Sequence, residues 1–151
     1  MESLRKQYEE YAAECKCALR TVTARLENLR QETEMNGERS LFDSIEWRIK
    51  SFDSVVEKCR RKGYDLTFES IKSNITDIVG VRVITTFKDD IYTVEKAIIR
   101  QPSMSVIERR DYVEKPKHNG YQSLHLIVFM EIYFMNTSKA IPVEIQIRDK
   151  A

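Results

Sequence analysis

Cysteine is scarce in this chain, and the few present do not pair by pattern. Cys15, Cys17 and Cys59 form neither a C-x-x-C motif nor an even disulfide set, so they read as reduced thiols in a reducing compartment. Histidine is scarcer still. His118 and His125 are the only two, and with three scattered thiols they argue against a structural zinc site. No apolar run approaches membrane-spanning length, and Met1-Glu-Ser-Leu-Arg5 has no signal-peptide profile. The expectation is a cytoplasmic chain with no membrane partner. An excess of one charge is also missing: 25 Lys and Arg stand against 24 Asp and Glu, a net charge of +1. Any site for an anion must therefore come from local clustering rather than bulk charge. There are no internal repeats and no low-complexity segment.

What remains has the make-up of one globular domain, with 42% hydrophobic and 32% charged residues over 151 positions. Residues 3–32 predict a long helix, because Leu4, Tyr8, Tyr11, Cys15, Ala18, Val22, Leu26 and Leu29 recur every three or four positions. A loop around Met35-Asn-Gly-Glu-Arg-Ser40 follows. The spacing then predicts a second helix over 43–62. At about 100° per residue, Lys50, Ser54, Lys58 and Arg61 fall in one narrow sector. Ile49, Phe52, Val55, Val56 and Cys59 fall in the opposite one. A helix packed on its apolar side would present a stripe of three cations and a hydroxyl. Arg48 lies off that stripe, near the predicted helix start.

Gly63 ends this helix, and a short piece leads through Ile71 to a strand at 78–84. That strand is apolar on both sides apart from Arg82, which predicts a central position. Asp77 stands at its entrance. A third helix over 88–100 and a strand over 104–113 come next. Then Asp111-Tyr-Val-Glu-Lys-Pro-Lys-His-Asn-Gly-Tyr-Gln-Ser-Leu-His125 displays Lys115 and Lys117 on a Pro- and Gly-punctuated loop. The loop runs into a strand with Leu124, Leu126, Val128, Met130, Ile132 and Phe134 on one face, and Tyr121, Ser123 and His125 on the other. Ammonium groups beside an aromatic ring suit a nucleotide, phosphate on the first and base on the second.

Asn136-Thr-Ser-Lys139 reads as a hairpin turn. In the last strand, 141–148, Ile141, Val143, Ile145 and Ile147 face the core while Glu144, Gln146 and Arg148 share the other face. That polar face reads either as a solvated edge or as a reaction surface. The element series predicts an α+β (α/β-like) fold, a mixed, mostly antiparallel sheet packed with helices.

Four segments together resemble the synthetase domain of the RelA/SpoT family, and more closely the small single-domain alarmone synthetases of bacteria. They are Arg48-Ile-Lys50 with Ser54 and Lys58; Asp77-Ile-Val-Gly-Val-Arg82; Asp111-Tyr-Val with Lys115-Pro-Lys117-His-Asn119-Gly-Tyr121-Gln-Ser-Leu-His125; and Val143-Glu144-Ile-Gln146-Ile-Arg148. The resemblance implies an N-terminal helix over 1–35 and a nucleotidyltransferase-like synthetase domain over 40–151. It implies transfer of pyrophosphate from ATP to the 3′-hydroxyl of GDP or GTP, with Mg²⁺ as cofactor.

By the same resemblance Arg48, Lys50, Ser54, Lys58 and Arg61 hold ATP. Lys115, Lys117, Asn119, Tyr121, His125 and Gln146 hold the guanosine nucleotide, and Asp77 and Glu144 serve as metal and base carboxylates. A homo-oligomer is implied, and single-stranded RNA is a further candidate partner. Relatives of this kind continue past the last strand into helices, whereas here Asp149-Lys-Ala151 follows. The apolar face of Ile141, Val143, Ile145 and Ile147 is therefore expected to lack cover, and self-association is expected through the N-terminal helix or that face. No hydrolase domain precedes residue 40, so no alarmone-degrading activity is expected. Two rival readings stay open: a truncated synthetase fold that binds nucleotide or RNA without turnover, and transfer to another acceptor, an adenine nucleotide or a tRNA 3′ end.

Overall fold

The computed structural model describes all 151 residues. The chain begins with helix α1 (Glu2–Met35), followed by strand β1 (Ser44–Ile49), helices α2 (Phe52–Lys62) and α3 (Phe68–Asn74), and strand β2 (Val79–Thr85). Helix α4 (Asp90–Ile99) and strands β3 (Met104–Asp111), β4 (Leu124–Tyr133) and β5 (Ser138–Asp149) complete it. The strands form one sheet in the order β1-β2-β5-β4-β3. Only β2 and β5 run parallel; the other three pairings are antiparallel. This is the α+β fold with a mixed, mostly antiparallel sheet that the element series predicted.

All four helices contribute to one core on one side of the sheet. Val79, Val81 and Val83 of β2, Leu124, Leu126, Val128 and Met130 of β4, and Ile141, Val143, Ile145 and Ile147 of β5 point into it. Strand alternation then sends their neighbours to the opposite face, which no helix covers. The last-strand isoleucines and valine are at most 1% exposed. The expected uncovered apolar face is therefore absent. Helix α1 crosses β1, β2, β5 and β4, and α4 packs on β5 as well, so these two helices already supply the cover.

The predicted helix over 43–62 is corrected to a strand and a shorter helix. Ile45, Trp47 and Ile49 alternate with Ser44, Glu46 and Arg48, and pair in register with Val83, Val81 and Val79. The helix starts only after Ser51, an extended N-cap whose hydroxyl accepts the Ser54 N–H at 3.2 Å. Gly63 ends it in the left-handed region, at φ 75°. A second correction concerns β5. It is the middle strand of five, so its polar residues do not lie on a solvated edge. Two smaller ones concern the loop flanks: β3 stops at Asp111, and β4 begins at Leu124, leaving Tyr121 and a fully buried Ser123 outside it.

Candidate active site

The open face of the sheet carries two rows of side chains set by the strand register. Glu46, Arg82, Gln146, His125 and Arg110 stand across β1, β2, β5, β4 and β3 in one row. The next row holds Arg48, Gly80, Glu144 and Ile127. Together Glu46, Trp47, Arg48, Gly80, Val81, Arg82, Glu144 and Gln146 line a cleft of about 250 Å³. Gly80 keeps its floor low: the Arg48 side chain lies over it, 3.6 Å from where a Cβ would stand. Arg48 thus reaches the site from β1, directly across the sheet, and not from a helix end.

At one end of the cleft, Asp77 precedes β2 and faces two lysines. Lys58 Nζ lies 2.9 Å from Oδ1, and Lys50 Nζ 3.3 Å from Oδ2. Lys50 sits in the turn between β1 and α2, fixed there by its own N–H to the Ile78 carbonyl at 2.8 Å and by its carbonyl, which accepts the Tyr8 hydroxyl. Burial pushes the Asp77 carboxyl up, but the hydrogen bonds and charges of Lys58 and Lys50 outweigh it and hold the group below its ordinary value of 3.8. Ser54 lies one turn before Lys58, in the first turn of α2, where free N–H groups favour an anion. Arg61 is not brought to this cluster. It pairs with Glu57 at 3.4 Å and lines a separate groove between α1 and α2 with Arg5 and Arg60.

At the other end the loop between β3 and β4 folds over itself. The Tyr112 N–H donates to the Ser123 carbonyl at 2.8 Å, and Asn119 Oδ1 accepts the Tyr121 N–H at 3.0 Å beside Gly120 at φ 85°. Asn119 therefore shapes the turn. The Lys117 ammonium stands 4.6 Å from the Tyr112 ring centre and 5.6 Å from that of Tyr121. The His125 ring stands nearly perpendicular to both, with centres 5.2 and 6.0 Å apart. Lys115 is exposed on this loop. The Tyr121 hydroxyl and Gln146 Oε1 are 3.3 Å apart, and Gln146 Nε2 donates to Glu144 Oε1 at 2.6 Å. Gln146 thus ties the aromatic end of the cleft to the carboxylate at its centre.

Burial holds the His125 imidazole below its ordinary 6.5; Glu144 pulls it up, while Lys117, Arg110 and Arg82 push it further down. Its proton is therefore off at neutral pH. Because the folded value is the lower one, this histidine favours the fold above 6.5 and withdraws that support as pH falls toward the folded value. A proton NMR titration of the ring is expected to give a midpoint below 6.5. A midpoint above it would show that Glu144 dominates the field at this site.

Sequence reasoning missed Glu46, Gly80 and Tyr112, and left Arg82 and Arg110 without a role. For Glu46 the signal was parity: once β1 is read as a strand, Glu46 and Arg48 must share its open face.

A cationic cluster at one end, stacking rings at the other and a carboxylate between them define a domain suited to bringing two polyphosphate-bearing molecules together. Comparison with known proteins agrees. The family profile described as "Region found in RelA / SpoT proteins" matches residues 47–151. GTP pyrophosphokinase YwaC of Bacillus subtilis is 34% identical over 151 residues, 98% of this chain and 72% of that one. The crystal structure of Bacillus subtilis small alarmone synthetase 1 bound to its product pppGpp superposes with a TM-score of 0.87. It is 31% identical, with 96% of this chain and 75% of that chain covered. The same synthetase bound to AMPCPP gives 0.81 at 28% identity, covering 96% and 71%. The chain belongs to the RelA/SpoT family.

Proposed function

We propose that this chain transfers the pyrophosphate of ATP to the 3′-hydroxyl of GDP or GTP, releasing AMP and forming ppGpp or pppGpp. The observation that carries the reading is Glu144, a half-buried carboxylate on the middle strand, between the Asp77–Lys50–Lys58 cluster and the Lys117–Tyr121–His125 loop. Relatives with GTP pyrophosphokinase activity in their names, and a neighbour holding pppGpp, support the same reaction.

In this reading Arg48, Lys50, Ser54 and Lys58 hold the ATP phosphates and base, and Arg82 lines the same cleft. Arg61 stands one helical turn beyond Lys58, available to a triphosphate that extends along α2. Lys115 and Lys117 meet the acceptor phosphates, Asn119 holds the loop turn, and Tyr121 stacks on guanine beside His125. The 3′-oxygen attacks the β-phosphorus, its proton passes to Glu144, and the bond from that phosphorus to the α-phosphate bridging oxygen breaks, so AMP leaves. Gln146 fixes the Glu144 carboxylate through its 2.6 Å contact. Lys50 and Lys58 both pair with Asp77, so the two ammonium groups that would meet the triphosphate stand beside the carboxylate that would meet its metal ion.

No group of three or more His, Cys, Asp or Glu residues converges into a metal cage. Two carboxylates, Asp77 and Glu144, fit an ion that takes most of its ligands from phosphate oxygens, which is the habit of Mg²⁺. Bound there, Mg²⁺ would supply neutralisation of the phosphate charge. Self-association belongs to the same proposal. Trp47 is 62% exposed on the edge strand beside Leu19 and Ile49, and light scattering against concentration measures whether that edge pairs.

Incubating the purified chain with γ-labelled ATP, Mg²⁺ and GDP, GTP, ADP or tRNA in separate reactions tests the assignment. Label is expected in the guanosine product alone. Label in the ADP or tRNA reaction would replace the acceptor, and label in none would reduce the chain to a binding module.

A further inference from the structure

The loop that carries Lys117, Asn119 and Tyr121 is held at its foot by a carboxylate that faces away from the cleft. Asp111 closes β3, and its Oδ1 accepts the N–H groups of both Val113 and Glu114, each at 2.9 Å. Its Oδ2 accepts the Tyr92 hydroxyl of α4 at 2.8 Å, and Arg109 Nη2 stands 3.5 Å away. Arg109 in turn chelates Glu95 of α4, a carboxylate 6% exposed. Parity places Arg109 and Asp111 opposite Leu126 and Leu124, on the helix-packed side of the sheet.

The groups agree electrostatically. Burial pushes Asp111 up, but the Glu114 N–H, the Tyr92 hydroxyl, the Val113 N–H and the Arg109 charge together hold it below its ordinary value. The Tyr92 phenol is pushed up to about 12, by burial and then by the Asp111 carboxylate. A fully ionised acceptor with three donors makes a rigid corner, because each charge-assisted bond is stronger than a neutral one.

The residue inside that corner is Tyr112. Its ring supports the Lys117 ammonium at 4.6 Å and packs on His125, and its N–H closes the loop on Ser123. The corner thus sets where Lys117 and Tyr121 stand, although Asp111 itself touches neither.

We propose that Asp111, latched to α4 by Tyr92 and Arg109, is a positioning residue that holds the acceptor loop in its binding geometry and so governs affinity for the guanosine nucleotide, not for ATP. This rests on the acceptor assignment given above for that loop. The latch itself is a structural claim that can be read without turnover.

Asp111→Ala, Asp111→Asn and Tyr92→Phe, in the whole chain, separate the possibilities. Trypsin cleaves after Lys117 but not at the Lys115–Pro116 bond, so the rate of cleavage at Lys117 in nucleotide-free protein reports loop opening. Asp111→Ala is expected to speed that cleavage several-fold and to raise the KM for GDP about tenfold. The KM for ATP and the kcat at saturating GDP should stay within about twofold. Asp111→Asn keeps an oxygen for both N–H groups and should recover most of each effect, which loss of general stability would not do. Unchanged cleavage and unchanged GDP KM in Asp111→Ala would overturn the proposal. So would equal rises in the KM of both nucleotides without rescue by Asn.

Should Asp111→Ala not fold, Tyr92→Phe removes one bond while keeping the ring. It should show the same pattern at roughly a third of the size, and parental values would overturn the latch. A parent chain that transfers to no acceptor would refute the functional reading alone, since the trypsin comparison still decides whether Asp111 holds the loop.

Discussion

Replacing Glu144 with Gln is expected to lower turnover by ~10²–10⁴-fold while leaving the fold intact. The change removes a proton acceptor and a negative charge but almost no volume. Position 144 stands opposite Gly80, which offers no side chain to rearrange, and a glutamine there keeps an oxygen for the Gln146 amide. Nothing buried loses a partner, so the thermal unfolding midpoint should barely move. Rates at saturating ATP and GDP, with unfolding curves for both proteins, make the measurement. A folded variant with near-parental turnover would remove Glu144 from the chemistry and leave it a shaping residue of the cleft.

Lys58→Ala and Lys50→Ala are expected to weaken ATP by about ten- to a hundredfold each and GDP by no more than about twofold. The range follows from the usual worth of a hydrogen bond to a charged group, about 1.5–3 kcal/mol. Both ammonium groups converge on Asp77 from separate elements, Lys50 from the β1–α2 turn and Lys58 from the second turn of α2. Losing either leaves that carboxylate one partner instead of two, so a small loss of stability should accompany the loss of affinity. Tyr121→Ala should act in reverse, weakening GDP by a factor set by one stacked base, on the order of 1–3 kcal/mol. Equilibrium titration of each nucleotide against each variant decides the matter. Parallel losses for both nucleotides would mean that the two ends of the cleft do not divide the substrates.

Much of this architecture was legible because its signals are local. The α1 stripe, the alternation of β4 and β5 and the Gly63 stop each depend on residues a few positions apart. The misreading at 43–62 shows where locality fails. Ile49, Phe52, Val55, Val56 and Cys59 do share a helical sector, but Ile49 belongs to a strand that happens to lead into the helix in phase. Ser51, with its hydroxyl on the Ser54 N–H, was the mark of the true start.

The candidate residues were found by type and spacing, whereas their arrangement was not. Arg48 lines the same cleft as Glu144 only because β1 pairs with β2 and β2 with β5, over separations no periodicity encodes. The middle position of β5 and the cover over its apolar face were hidden for the same reason. So was the Tyr92–Asp111 contact, which joins α4 to the end of β3.

The single parallel pairing has a consequence for how this molecule is made. β5 inserts between β2 and β4, yet it follows every other strand in the chain. Until Ser138–Asp149 arrives, β2 has only the edge strand β1 beside it, and the β3–β4 ribbon has no partner across the gap. Val79 and Val143 must meet across more than sixty intervening positions, so loop closure precedes the contacts that compensate it. A nascent chain halted before Ser138 therefore exposes two unpaired strand edges and the apolar side chains that β5 packs against. Folding is expected to be late, slow and all-or-none, with the proposed catalytic carboxylate arriving on the same strand that completes the sheet.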